Sequence, residues 1–180
     1  QMYKRHLNRF DAVITVSPHI LEKIEEYTNH AYMITNYPQV DNDETTSFSL
    51  ENYLQRQNTL FYSGTVANQE VTLQAISDIA NINYNIAGPF FEDYKNKLTM
   101  FPSWYKVNYL GFLNIDELEK AFQKATIGIT LLHYHASVGS KRGTLGNTKV
   151  FDYMKYGLPL ICTDFDIWKE MIIDKYKCGI

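Results

Sequence analysis

The stretch Gly146-Asn147-Thr148-Lys149-Val150-Phe151-Asp152-Tyr153-Met154-Lys155-Tyr156-Gly157-Leu158-Pro159-Leu160-Ile161-Cys162-Thr163-Asp164-Phe165 reads as a loop, a short helix, a glycine stop and a buried strand with a polar tip. On a 3.6-residue period, residues 149 to 156 place Lys149, Asp152, Tyr153 and Tyr156 on one side and Val150, Phe151 and Met154 on the other. The second side is expected to face the core, which leaves the first for chemistry. Gly157 supplies the left-handed residue that ends such a helix, and Pro159 prevents its continuation. The backbone N–H groups around Asn147 to Lys149 lack intrahelical partners and carry partial positive charge, so this end suits an anion.

Lys149 and Asp152 are three residues apart, which is also the spacing of an ordinary ion pair on a helix surface. The preceding segment favours a ligand site. Gly139-Ser140-Lys141-Arg142-Gly143-Thr144-Leu145-Gly146 is rich in glycine, adds two cations and follows an apolar strand, which is where open α/β sheets bind ligands.

Outward from this segment, strands and helices alternate. Asp11 to Val16 forms a β-branched run, Ser17-Pro18 caps a helix to about Tyr27, and Ala31 to Thr35 is a second strand ending at Asn36-Tyr37-Pro38. The polar segment Gln39 to Ser47 has linker composition, which sets a domain boundary near residue 40 and a linker over 39–58. From residue 59 the expected elements are strand 60–62, helix 71–79, strand 83–87, helix 91–100, strand 106–110, helix 115–124, strand 127–132, the helix at 149–156, strand 158–163 and a last helix over 167–173. Five strands alternating with helices imply a doubly wound parallel sheet in the α/β class. Its strand tips share one crevice, approached by Gly64, Gly111, His133 and Asn147.

Composition narrows the function. At 180 residues and 45% hydrophobic content the chain supports one sizeable core with a small appendage. A net charge of -3 gives no general attraction to nucleic acid, and the cations near 141 to 149 are too local to track a phosphate backbone. No run approaches the ~18 apolar residues that span a bilayer, and the start lacks a signal-peptide pattern, so a cytoplasmic protein is expected. Cys162 and Cys178 lack the paired spacing of a metal knuckle and read as reduced structural thiols. His133 and His135 follow a strand as loop histidines, without the further ligands a metal needs. Asp164 reads as a cap for the helix after it rather than as half of a carboxylate pair with Glu170.

These residues resemble the C-terminal half of a GT-B-fold glycosyltransferase of the group 1, or family 4, class of retaining nucleotide-sugar transferases. Asn147-x-Lys149-x-Phe151-Asp152-Tyr153-Met154-x-x-Gly157-x-Pro159 is similar to the family's Lys-x-x-Glu-Tyr-x-x-x-Gly-x-Pro pattern, and Thr163-Asp164-Phe165 and Trp168-x-Glu170 follow it. Asp11 to Ser17 looks like the last strand of the family's N-terminal half, Asn36-Tyr37-Pro38 like its linker, and Tyr109-Leu110-Gly111-Phe112 like the entry to its third crossover helix. The resemblance covers nearly the whole chain. It implies a Rossmann-like nucleotide-sugar-binding domain over 59–180, truncated at its C-terminus, and over 1–38 a strand-helix-strand remnant of the acceptor-side half.

The resemblance further implies a nucleotide diphosphate-sugar donor, with no cofactor and no metal. Lys149 would approach the diphosphate together with the loop Gly146, Asn147 and Thr148. Gly64 and Thr65 would let the backbone come close to it, Gly111, Phe112 and Leu113 would lie near the base, and Asp152 would replace the usual Glu on the ribose hydroxyls. Breaking the sugar–phosphate bond concentrates charge on the departing diphosphate, so fixed N–H groups and a cation stabilise the transition state most. Lys141, Arg142 and His133 are further candidates for phosphate or sugar contacts.

The sequence also departs from the family pattern. Thr144 stands where the family often has an acid, eight positions before the ribose-binding carboxylate, and Ser63 to Glu70 lacks the usual Arg and Lys pair. The family's catalytic groups and its saccharide or lipid-linked acceptor belong to the half that would precede residue 1, as would any contact with the inner face of a membrane. Cys178-Gly179-Ile180 falls where the family continues into another strand and helix, so a fragment inactive by itself is expected. The parent would act in bacterial surface polysaccharide or glycolipid synthesis. A nucleotide-sugar epimerase half and a noncatalytic α/β nucleotide-binding or interaction module remain as alternatives.

Overall fold

The computed structural model of the chain describes residues 6–39 and 49–180. In chain order the elements are β1 (Val13–Thr15), α1 (Pro18–Glu25), β2 (Ala31–Met33), α2 (Leu50–Leu54), β3 (Thr59–Ser63), α3 (Glu70–Ala75), β4 (Asn83–Ala87), α4 (Glu92–Thr99), β5 (Val107–Gly111), α5 (Ile115–Lys124), β6 (Ile127–Thr130), α6 (Lys149–Lys155), β7 (Leu160–Cys162) and α7 (Asp166–Trp168). Short 3₁₀ turns occur at Pro102–Lys106, Ala136–Val138 and Ser140–Arg142. The described residues divide into two compact units. The first is built from those up to Pro38 together with Tyr134–Thr148 and Asp164–Lys177. The second contains those from there to His133 together with Lys149–Thr163 and Cys178–Ile180.

The domain boundary expected near residue 40 lies outside the described residues, as do residues 40–48 of the expected linker. Its end does not behave as a linker. Ser49 caps α2 by accepting from Asn52 N, Tyr53 Oη donates to Thr126 O at 2.7 Å, and Arg56 Nη1 donates to Ala125 O at 2.8 Å. Those anchors make residues 50–56 part of the second unit.

The second unit holds a five-stranded sheet in the order β5-β4-β3-β6-β7, parallel throughout. The order reverses between β3 and β6, so this α/β sheet is doubly wound and its switch point lies at their tips. β3 is buried along its whole length and sends alternate residues to opposite faces. Leu60 and Tyr62 join Leu73, Ile76, Tyr84, Ile86 and Leu98 in one core. Phe61 meets Phe122 of α5 edge to face at 5.1 Å, and Phe122 packs against Tyr153 at 5.8 Å and stacks on Tyr156 at 4.7 Å. Each such buried aromatic contributes about 2 kcal/mol of apolar burial.

Helix α5 has the bounds expected from sequence, because Asn114 and Glu117 form a reciprocal capping box and Ala125 ends it. The face assigned to Tyr153 is corrected. Tyr153 is fully buried, whereas Met154, expected in the core, is only half-buried. The cause is Gly128 of β6: a Cβ there would stand 2.4 Å from the Tyr153 Cγ. The missing side chain makes a socket for the ring, and the Tyr153 hydroxyl donates to Ile129 O at 3.1 Å and accepts from Ser63 N.

In the first unit, β1 and β2 pair in parallel from Val13↔Ala31 to Thr15↔Met33. Ser17 takes the N-cap position of α1 but does not cap it, since its hydroxyl is bonded to Thr144 Oγ1 at 2.7 Å. The last helix also differs from expectation: after the single turn of α7 the chain widens into a π-helix over Lys169–Lys175. The wider turn keeps Trp168 and Ile172 both fully buried. Among the described residues no helix is long and apolar enough to cross a membrane.

Candidate functional site

From the switch point outward, the C-terminal tips of β3, β4 and β5 turn through glycine. Gly64 follows β3 with φ 124°, Gly88 follows β4 with φ 127°, and Gly111 ends β5 with φ 71°. Their backbones interlock: Gly64 N donates to Ala87 O at 2.9 Å and Gly88 N donates to Gly111 O at 2.7 Å. A Cβ on Gly88 would stand 2.0 Å from Gly64 O, so only glycine allows the β3 and β4 tips to lie this close. A register shift between Ile86 and Ala87, opposite Tyr109 and Gly111, sets the last tip.

Lys149 enters this seam from the start of α6. A Cβ on Gly64 would stand 2.5 Å from Lys149 Cε and 2.8 Å from Nζ, so the lysine tail crosses the face that Gly64 leaves open. Its ammonium lies 5.4 Å from the centroid of the Tyr62 ring. Burial pushes the Lys149 pKa down, with Asp152 opposing, and burial pushes the Asp152 carboxyl up, with Lys155 and Lys149 opposing. Both groups are half-buried, so an anion arriving at Lys149 would restore solvation that folding removed.

The loop after Gly64 is held by hydrogen bonds. Tyr62 Oη donates to Thr65 O at 2.7 Å, and burial pushes the Tyr62 pKa up to about 12, which keeps it a neutral donor. Gln69 is buried; it accepts from Tyr84 Oη and donates through Nε2 to Ala67 O at 2.6 Å. Tyr94 Oη accepts from Gln69 N and donates to Glu70, which also pairs with Lys97 at 2.7 Å. None of Gln69, Tyr84, Tyr94 or Gly88 was among the expected site residues. Only the Gly88-Pro89 breaker carried a sequence signal, because the other partners are 15 to 25 residues apart.

Of the expected site residues, the second unit brings Gly64 and Lys149 into contact and places Asp152 one turn along α6. Thr65 is exposed, Gly111 and Leu113 are half-buried, Phe112 is 84% exposed beside Leu113, and His133 is exposed beyond the end of β6. Gly146, Asn147, Thr148, Lys141 and Arg142 belong to the first unit. Asn147 and Thr148 are half-buried and Gly146 is exposed.

Within the first unit the cations are already engaged. Lys141 Nζ donates to Asp164 Oδ2 and Asp164 O, both at 2.6 Å, and to Tyr134 Oη at 3.0 Å, while Arg142 pairs with Glu22. Asp164 is therefore not the helix cap expected of it. That position belongs to Phe165, and the Asp164 carboxylate is held by Lys141 and Tyr134, which lower its pKa. Thr144 is buried and fully used: its hydroxyl meets Ser17 and accepts from Gly146 N at 2.9 Å, and its carbonyl accepts from Trp168 Nε1 at 2.8 Å. His135 bonds Ser137 within its own turn. Cys162 and Cys178 are unlinked and half-buried, and no cluster of metal-ligating side chains occurs among the described residues.

No protein-family model matches the chain, and no curated protein matches it in sequence. Solved structures do match it. A TarM variant from S. aureus, in complex with fondaparinux, alpha-GlcNAc-glycerol and UDP, superposes with a TM-score of 0.68 at 13% identity, over 98% of this chain and 34% of that one. AviGT4, a glycosyltransferase involved in avilamycin A biosynthesis, gives 0.58 at 14% identity over 91% of this chain and 46% of that one. The pneumococcal O-GlcNAc transferase GtfA, in complex with UDP and GlcNAc, gives 0.57 at 14% identity over 90% and 32%. The chain thus spans between about a third and under a half of the length of these structures. At this identity the likeness shows architecture alone: the chain has the α/β, Rossmann-like fold of a half of a GT-B glycosyltransferase.

Proposed function

We propose that this chain is the donor-binding, C-terminal half of a group 1, or family 4, retaining glycosyltransferase that takes its sugar from a nucleotide diphosphate-sugar. The observation that carries this reading is Lys149, laid across side-chain-free Gly64 at the switch point of a doubly wound sheet. A diphosphate seated there meets the ammonium and the interlocked tip backbones, and Asp152 one turn on is placed for ribose hydroxyls. As the sugar–phosphate bond breaks, its electron pair stays on the phosphate oxygen and the added negative charge gathers where Lys149 is already fixed, which favours departure over the intact donor. Gly111, Phe112 and Leu113 serve the base. Lys141 and Arg142 are engaged in ion pairs with Asp164 and Glu22. The scheme uses no metal.

In this reading the acceptor, saccharide or lipid-linked, is bound by the acceptor-side half of the GT-B pair, to which residues up to Pro38 belong, and any membrane contact lies there. Surface polysaccharide or glycolipid assembly in the cytoplasm is the setting this reading fits. Calorimetric titration with UDP, GDP and ADP tests it. Binding that falls about 10- to 100-fold in Lys149→Ala and Asp152→Ala, as loss of charge-assisted contacts predicts, supports the donor site. Absence of binding by well-folded protein refutes it and favours the interaction module.

A further inference from the structure

The second unit has another concave surface, at the opposite end of its sheet. A cleft of about 750 Å³ opens where α2 leads into the start of β3 and where α5 and α6 finish. Helices between parallel strands run back against them, so Lys124 and Lys155, the last residues of α5 and α6, stand at the strands' N-terminal edge. That edge lies one strand length, about 16 Å, from the glycine seam.

The cleft is cationic and preorganised. Arg56, Lys124 and Lys155 line it with Asn52, Gln57 and Gln123, and no acidic residue is among its described lining residues. Arg56 is held by Ala125 O at 2.8 Å and by the Tyr53 ring, 5.2 Å from its guanidinium. The Lys155 ammonium lies 5.5 Å from the centroid of the Tyr156 ring, itself stacked on Phe122. Opposing these charges are the two helix C-termini, each worth about half a negative charge, and Asp152 one turn back on α6, which is coupled to Lys155 but does not line the cleft. Three full cations against two half-charges and one nearby carboxylate leave an excess of about one positive charge.

We infer that this cleft is a second ligand site, for a phosphorylated small molecule. Arg56, Lys124 and Lys155 take the phosphate, and the amides of Asn52, Gln57 and Gln123, which both donate and accept, take hydroxyl groups on the remainder. The volume lies within the range of small-molecule sites, about 300–1,000 Å³. Three cations on a chain of net charge -3 are too few for a nucleic acid backbone. The inference is independent of the donor-site reading.

An amide NMR titration of the 180-residue chain carrying Lys149→Ala, with inorganic phosphate and separately with glucose 6-phosphate at fixed ionic strength, tests it. The expected result is saturable shifts at Asn52, Gln57, Gln123 and Gly157, tighter for glucose 6-phosphate than for phosphate. Lys124→Gln with Lys155→Gln should weaken them about ten-fold at unchanged melting temperature. Arg56→Gln should do the same, and the lysine pair keeps the test decisive if loss of the α2 anchor unfolds that variant. Shifts reproduced by sodium chloride, saturable shifts indifferent to the lysine pair, or equal affinity for phosphate and glucose 6-phosphate would each overturn the proposal.

Discussion

Gly128→Ala should destabilise the chain by about 3 kcal/mol, the upper end of the overpacking range. The added methyl would meet Tyr153 Cγ at 2.4 Å, Cδ1 at 2.6 Å and Cδ2 at 2.7 Å. The ring has no room to retreat, because it is fully buried and bonded at its far end to Ile129 O and Ser63 N. At roughly 2–4 °C per kcal/mol for a chain of this size, the melting temperature should fall by about 6–12 °C, measured by circular dichroism with urea titration alongside. Because α6 carries both Tyr153 and Lys149, nucleoside diphosphate affinity should fall as well, even where the variant is folded. Tyr153→Ala alone should cost about 3–5 kcal/mol, but the double variant should cost at least about 1 kcal/mol less than the sum, since the methyl added to Gly128 then fills part of the vacated space. A Gly128→Ala variant within about 0.5 kcal/mol of the parent, or strict additivity in the cycle, would refute the socket argument.

Lys149→Met should raise stability by on the order of 0.5 kcal/mol while weakening nucleotide binding about 10- to 100-fold, because burial disfavours the charged ammonium and an apolar chain of similar length escapes that cost; paired melting and calorimetry check it, and a less stable variant counts against it. Burial pushes the Asp152 carboxyl up, so folding favours its protonated form; that contribution is complete below the unfolded value and lost as pH rises through the raised folded value. Asp152→Asn should therefore gain stability relative to the parent from about pH 4 upward, and a carbon NMR titration should find the Asp152 midpoint above the ordinary value and higher still in Lys149→Ala. Thr144→Val should cost about 1–3 kcal/mol in urea titration, since it strips partners from the Ser17 hydroxyl and the Gly146 amide at once; an unchanged midpoint would show that this junction is not held by hydroxyls.

Local signals in the sequence were enough for the elements that make their own case. β4 and α5 have the bounds that residue pattern and capping chemistry assign, and the parallel alternation and the Gly157 stop at φ 65° were equally readable. The errors arose where a distant residue decides the outcome. Tyr153 turned inward because of a glycine 25 positions earlier, which no helical period registers. Lys106, expected to open a strand, instead caps the end of α3 through Ile76 O, Ser77 O and Ile79 O at 2.6–2.9 Å. At the candidate site, composition and spacing singled out Gly64, Lys149 and Asp152, and the structure puts the first two side by side with the third one turn on. The network that fixes the loop through Gln69, Tyr84 and Tyr94 was not legible, because it depends on which strands lie side by side. Nor does the sequence hint at the ion pairs that Lys141 and Arg142 make with Asp164 and Glu22.

The glycine seam has a consequence for how such a site changes over time. Its wall is main chain, so exchange of neighbouring side chains leaves its shape intact, while a single methyl at Gly88 would prise the β3 and β4 tips apart. On the donor-site reading proposed above, grip on the ligand's constant part would thereby be insulated from mutation, and discrimination would fall to the exposed rim, Phe112 first. A scaffold divided in this way can exchange the identity of what it carries without relearning how to hold it.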